Sequence, residues 1–360
     1  GCRARRRGTS TTVPEPRCLL GLYAGNTVIK AVLFDLDGRQ LARAALDGGT
    51  ARPYPGHVER DLVELWRNAS SVIGRCLAAA GVAPEAVAAV GCAGHGNGLY
   101  AIDRAGDPVV GIQSLDGRAA ALAAEVDAAA GAALHPIALQ RPWPAQTPML
   151  MAWLRRHRPD LWERIATVLF CKDYVTFRLT GERVSEVSDM SGAGLVRLPE
   201  GRYDDALLAL YGLADARERL PRLLEPTGIA GHVTAAAARE TGLAPGTPVI
   251  GGFFDVIASA LGAGVERPGE ASIVAGSWSI NQVFSDAPVT DERVFMVSRF
   301  GPRRFVTIES SATSAVNLEW YVRELVARGG HPADPFAELT ARLEAVKPRG
   351  DDPFFHPFLY

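Results

Sequence analysis

The segment from Val249 to Ser279 places the tightest limit on what this chain can fold into. It reads VIGGFFDVIASALGAG, a short connector, then ASIVAGSWS. An apolar run ends at Gly251 and Gly252, two aromatics follow, and Asp255 opens a helical pattern with Ile257, Ala258 and Leu261 on one side. Strand, glycine break and helix in this order belong to an α/β layer, where the tip of the strand meets the N-terminus of the helix. Backbone N–H groups there favour anions, and ligands gather at that edge. Ala271 to Val274 reads as a further strand closed by Gly276, Ser277, Trp278 and Ser279. A glycine beside hydroxyls after a strand lets backbone N–H groups approach a phosphate. Taken alone, Asp255 reads as a plain helix N-cap rather than as a functional carboxylate.

With 360 residues the chain has room for two domains, each with its own core. Its formal charge of -2 gives no argument for nucleic acid or an anionic membrane as partner. Arginine supplies nearly all the positive charge, since the lysines are Lys30, Lys172 and Lys347 alone. The five cysteines have no C-x-x-C spacing, which argues against a disulfide framework or a structural zinc site and suits a reducing cytoplasm. No apolar run reaches the length of a membrane-spanning helix. Residues 1–17 carry arginines without an apolar stretch behind them, so they read as a disordered extension outside the fold.

From Cys18 the pattern predicts a three-stranded meander whose first turn is Ala24, Gly25, Asn26 and Thr27, polar enough to face a phosphate or simply to close a hairpin. Asp61 and Gly81 bracket an amphipathic helix. A strand from Val87 to Cys92 leads into Ala93, Gly94, His95, Gly96, Asn97 and Gly98, where alternating glycines admit something small and His95 reads as structural. Asp116 with Arg118 either holds a polyol or forms a helix cap with a surface cation. Thr147 and Pro148 suit the N-cap and first helical position of a helix, Lys172 to Leu179 is a helix ended by Gly181, and the polar segment Ser185 to Ser191 reads as a loop bordering a cleft. Pro245 and Gly246 mark a domain boundary. Glu309 to Ser314 reads as a hydroxyl-rich lead into a helix.

Several segments together resemble the FGGY carbohydrate kinases: PGHVERDLVELW (55–66), CAGHGNGLY (92–100), SLDGRA (114–119), KDYVTFRLTGE (172–182), GGFFDVIASALGAG (251–264), AGSWSIN (275–281), SSATSAVNLEW (310–320) and FFHPFLY (354–360). The resemblance covers residues 18–360 and is closest to the pentulose, L-xylulose-kinase-like side of the family. It implies an α/β fold of two ribonuclease-H-like (actin/sugar-kinase ATPase) domains, 18–246 and 247–360, closing over a cleft for ATP with Mg²⁺ and a sugar. It also implies that Asp255 is the general base of phosphoryl transfer. Gly25, Asn26 and Thr27 would form one phosphate turn and Gly276 with Ser277 the other, while Gly96, Asn97, Asp116 and Asp255, with Arg118 beside them, would contact the sugar. Metal ligands stay unassigned.

Two features depart from the family pattern. Tyr23 stands where the resemblance implies a carboxylate that helps hold Mg²⁺, and a phenol is neutral at pH 7. The apolar ending Phe354 to Tyr360 belongs inside a domain, so the second domain is expected to be incomplete, lacking its adenosine-binding segment. The expectation is therefore a cytoplasmic sugar kinase with weak ATP binding and little turnover, with a small-molecule sugar as partner and a homodimer as one option. A catalytically inactive sugar-binding sensor is the alternative. A protein-binding ATPase of the same fold has no need of a polar floor such as Gly96, Asn97 and Asp116.

Overall fold

The structure, a computed structural model, describes residues 17–275, 279–311, 314–326 and 334–353. Strand β1 (Cys18–Ala24) alternates inward Leu20, Leu22 and Ala24 with more exposed residues and pairs antiparallel with β2 (Val28–Asp35). β2 pairs in turn with β3 (Gln40–Asp47), which completes the meander expected from the sequence. Helix α1 (Leu62–Ala80) covers one face of these strands. Its first turn is capped by Asp61, whose Oδ1 accepts from the N–H of Val63 (2.7 Å) and Glu64 (3.0 Å), and it ends at Gly81 with φ 63°. Leu65, Val72 and Ile73 of α1 pack on Leu20, Leu33 and Val90, each such burial contributing roughly 1.5–3 kcal/mol.

β4 (Val87–Gly94) lies parallel to β1 on the other side. Beyond it come Pro248–Ile250, parallel to β4, and Ile229–His232 at the edge, giving the order Ile229–His232, Pro248–Ile250, β4, β1, β2, β3. The two-residue strand Phe253–Phe254 also pairs with the end of β4. Gly252 makes this possible: its φ is 85°, and a Cβ there would sit 1.9 Å from the Cys92 carbonyl oxygen. The registers Ala24↔Gly94 and Phe254↔Gly94 place three strand ends in one row. The chain therefore leaves the sheet at Gly25, His95 and Asp255 side by side.

A three-stranded sheet (Leu99–Ile102, Pro108–Ile112, Thr167–Leu169) with helices Ala120–Ala138 and Thr147–His157 forms a second core around Leu99, Ile112, Met149 and Phe170. On the C-terminal side, an antiparallel sheet of Ala271–Ala275, Ser279–Ser285, Arg304–Ser311 and Met296–Gly301 packs with helix Asp255–Gly262 through Ile257, Phe284 and Val306.

Three local expectations change. Ser185 to Ser191 is no loop. It spans a strand (Val184–Glu186) and a short helix (Val187–Gly192) and is buried throughout, because Glu186 caps that helix and Lys172 supplies a buried counter-charge. Gln146, not Thr147, takes the N-cap position, and the Thr147 hydroxyl instead donates to the Gly98 carbonyl at 2.8 Å. The strand that includes Glu309 runs on to Ser311, so the lead into helix Ala315–Tyr321 is shorter than the sequence implies. Gly276, Ser277, residues 1–16 and the aromatic stretch 354–360 lie outside the described residues.

Candidate active site

The row of strand ends opens onto a cavity of about 210 Å³ whose polar side is formed by Asn26, His95, Gly96, Asn97, Ser114 and Asp255. Trp143, Phe254, Phe295 and Ile308 supply apolar wall. Asp255 is the first residue of its helix. The cap position belongs to Phe254 and carries no side-chain cap bond, so capping is not what the aspartate does. Its Oδ2 accepts from the Tyr23 hydroxyl at 3.3 Å. Burial pushes the Asp255 carboxyl up to about 7, against the Tyr23 hydrogen bond and the Val256 N–H, which both favour the ionised form. A carboxylate so placed is half in its basic form near neutral pH.

Glycine at position 96 has a packing reason, since a Cβ there would lie 2.5 Å from the Phe254 ring. Asn97 adopts φ 60° and is buried. It donates to the Gly192 carbonyl at 3.2 Å and accepts from the Thr147 N–H at 3.3 Å, tying three segments together at the cavity wall. His95 is buried, with Nε2 2.8 Å from the Tyr100 hydroxyl. Burial, and next the Arg60 charge, push its pKa down to about 3, so it stays neutral and structural, as its setting in the sequence suggested.

The structure brings Asn26, Gly96, Asn97 and Asp255 together around the cavity, but Asp116 and Arg118 do not line it. The Asp116 carboxylate accepts from the Val58 N–H at 2.6 Å and from Arg118 through Nε and Nη2, both at 2.9 Å. Arg118 also donates to Glu59 at 2.6 Å, and its side chain is 4% exposed. The pair is a buried brace in which each group is the other's counter-charge, so Arg118 is not the surface cation that one reading of the sequence gave.

Beneath the first turn lies a residue that the sequence motif contained but whose role it did not reveal. Arg60, 3% exposed, donates to the carbonyls of Gly49 (3.1 Å), Gly25 (2.9 Å) and Asn26. Gln113 adds a bond to the same Asn26 carbonyl at 3.0 Å, and the Asn26 amide donates to Ser114 at 2.9 Å. A planar guanidinium can bridge several carbonyls at once, whereas an ammonium is a point donor. Arg60→Lys is therefore expected to lower stability by about 1–3 kcal/mol through unsatisfied buried carbonyls, read by thermal denaturation.

A second buried cluster supports Asp255 from behind. Lys172 Nζ lies 2.6 Å from Asp173, 3.0 Å from Asp189 and 3.2 Å from Glu186, with no side chain in the group more than 2% exposed. Burial opposes the charge on Lys172, but the three carboxylates outweigh it and hold its pKa well above the ordinary value. Glu186 accepts from Ser188 Oγ at 2.8 Å, and that same hydroxyl oxygen accepts from the Phe254 N–H at 3.1 Å. A chain of contacts thus runs from Lys172 to the residue before Asp255.

A two-sided α/β architecture with a carboxylate between a glycine turn and a polar cavity is that of the actin and sugar-kinase class. The model of the FGGY family of carbohydrate kinases, N-terminal domain, matches residues 18–262. The L-xylulose/3-keto-L-gulonate kinase of Escherichia coli is 33% identical over 345 residues, covering 95% of this chain and 68% of that protein. The probable L-xylulose kinase of Pasteurella multocida is 32% identical over 347 residues, covering 95% and 70%. The crystal structure of xylulose kinase from Rhodospirillum rubrum superposes with a TM-score of 0.85 at 29% identity, covering 92% of this chain and 67% of that one. The chain belongs to the FGGY family of carbohydrate kinases.

Proposed function

We propose that the protein transfers the γ-phosphoryl group of ATP to a hydroxyl of a pentulose or related sugar or polyol, with Asp255 as general base. The observation that carries this reading is Asp255 on the wall of a cavity it shares with Gly96, Asn97 and Asn26 of the first turn. The names of the similar xylulose kinases favour a pentulose. In the reaction the sugar hydroxyl oxygen bonds to the γ-phosphorus, its proton passes to Asp255, and the bond to the bridging oxygen breaks to release ADP. Asn97 fixes the cavity wall through its backbone partners, and Arg60 holds the Gly25–Asn26 turn.

Among the described residues no group of three His, Cys, Asp or Glu side chains could hold a metal, and no step is assigned to one. Gly246 itself lies between Ile229–His232 and Pro248–Ile250, which pair within the N-terminal sheet, and the separate antiparallel sheet starts only at Ala271. The reading is tested by following ADP release against a panel of ketoses and polyols that includes L-xylulose. Sugar-dependent release that persists unchanged in Asp255→Asn sinks it.

One observation favours a second reading, in which sugar binds without turnover: the Tyr23 ring covers Gly25 in the first turn, with the phenol oxygen 2.3 Å from where a Cβ would stand. Under that reading calorimetry detects sugar binding to the native chain without ADP release, and Tyr23→Asp raises sugar-dependent release by at least about tenfold. Substantial release from the native chain excludes it.

A further inference from the structure

We infer that Tyr23 is a positioning residue for Asp255, holding one carboxylate oxygen so that the other is the one offered to the substrate hydroxyl. The inference rests on the reading of Asp255 as the base and adds a residue to it. Three observations meet at Tyr23. Its hydroxyl reaches Asp255 Oδ2 at 3.3 Å, across the end of β4, which lies between β1 and the strand Phe253–Phe254. Its ring rests on the bare Cα of Gly25, leaving no room for a side chain there. The turn under that ring is pinned by Arg60, so the phenol has a fixed seat. A hydroxyl bonded to an ionised carboxylate stabilises the charged form and fixes its rotamer. Tyr23 itself stays protonated, since burial and then the Asp255 charge raise its pKa far above neutrality. It is a permanent donor, and by stabilising the ionised carboxylate it keeps Asp255 able to accept a proton at lower pH than burial alone would allow.

Among the described residues the other ionisable groups around this pair are Lys30, opposite Tyr23 on β2, Cys171, whose thiol burial keeps protonated, His95, Arg60 and the Lys172 group. His95 across the cavity is neutral, Arg60 lies behind the turn, and the Lys172 group lies behind Phe254, while helix Asp255–Gly262 carries no further charged side chain.

The test compares native protein, Tyr23→Phe and Gly25→Ala, the last of which forces the ring off its seat while keeping the hydroxyl. The Asp255 carboxyl is titrated by carbon NMR, and the acid limb of sugar-dependent kcat is recorded beside it. Loss of the Tyr23 bond is expected to raise the Asp255 midpoint by about one pH unit in both variants, a tenfold change in proton affinity. The acid limb of kcat moves with it, and KM for the sugar changes little. Native and Tyr23→Phe midpoints that coincide overturn the inference, as does a Gly25→Ala protein that titrates like the native one. If the midpoint moves but Asp255→Asn keeps its sugar-dependent ADP release, the Tyr23 contact stands and the assignment of Asp255 as base fails. If Asp255→Asn loses release while the midpoints coincide, the base stands and Tyr23 positions nothing.

Discussion

Asp255→Asn lowers the sugar-dependent rate of ADP release by about 10²- to 10⁴-fold while leaving sugar affinity within a few-fold. Asparagine keeps the size of the side chain and can still take part in the Tyr23 hydrogen bond, so the cavity shape is retained and only proton acceptance is lost. The native rate carries its own signature. Because burial holds the carboxyl up at about 7, the fraction of Asp255 able to accept a proton rises through neutrality, and at pH 6 activity falls to about a tenth of its alkaline plateau. The same shift runs the other way for stability. A carboxyl whose folded pKa lies above its unfolded value stabilises the fold below the unfolded pKa, and that contribution is lost as pH rises through 7. Asp255→Asn is thus expected to raise the melting temperature at pH 8 and to matter little at pH 4. A flat pH–rate profile between 6 and 8 contradicts this account.

Lys172→Met carries the largest cost to the fold. It leaves Asp173, Glu186 and Asp189 buried without their cation, and removing one partner of such a group destabilises by about 3–5 kcal/mol. The loss should appear as a fall in melting temperature on the order of 10 °C. Burial raises the pKa of both Glu186 and Asp189, so in the variant these carboxyls take up protons as pH falls and part of the penalty disappears. The deficit measured at pH 8 should therefore exceed that at pH 5.5, and equal deficits at both would show that the lysine acts through packing alone. The damage also reaches the site: with Glu186 loosened, Ser188 no longer holds the Phe254 N–H, and the entry of the chain into the Asp255 helix loses a buried anchor.

How much of this was legible beforehand depended on whether a residue's role is local. The meander, the capped helix α1 and the strand–glycine–helix unit at Asp255 follow from periodicity and from Asp61, Gly81 and Gly252, whose effects act within a few residues. Residues whose role depends on distant partners were misread or missed. Ser185 to Ser191 is polar and so looks like a surface loop, yet the charges of Glu186 and Asp189 find Lys172, 14 and 17 positions earlier. Asp116 and Arg118 carry groups suited to a sugar, and their partners at Val58 and Glu59 are contacts that their own segment does not announce. Tyr23 registers in the sequence only as a missing carboxylate. Its hydrogen bond to Asp255, 232 positions along the chain, is not written there.

By itself, the sequence determined the layers and their order, and the family through the joint spacing of its motifs, because hydrophobic period, glycine and capping residues constrain the backbone from nearest neighbours outward. Only the tertiary structure decided which polar groups face the cavity and which are spent on one another. A buried donor or acceptor takes whatever partner the packing brings within about 3 Å, and the chain does not write that partner next to it.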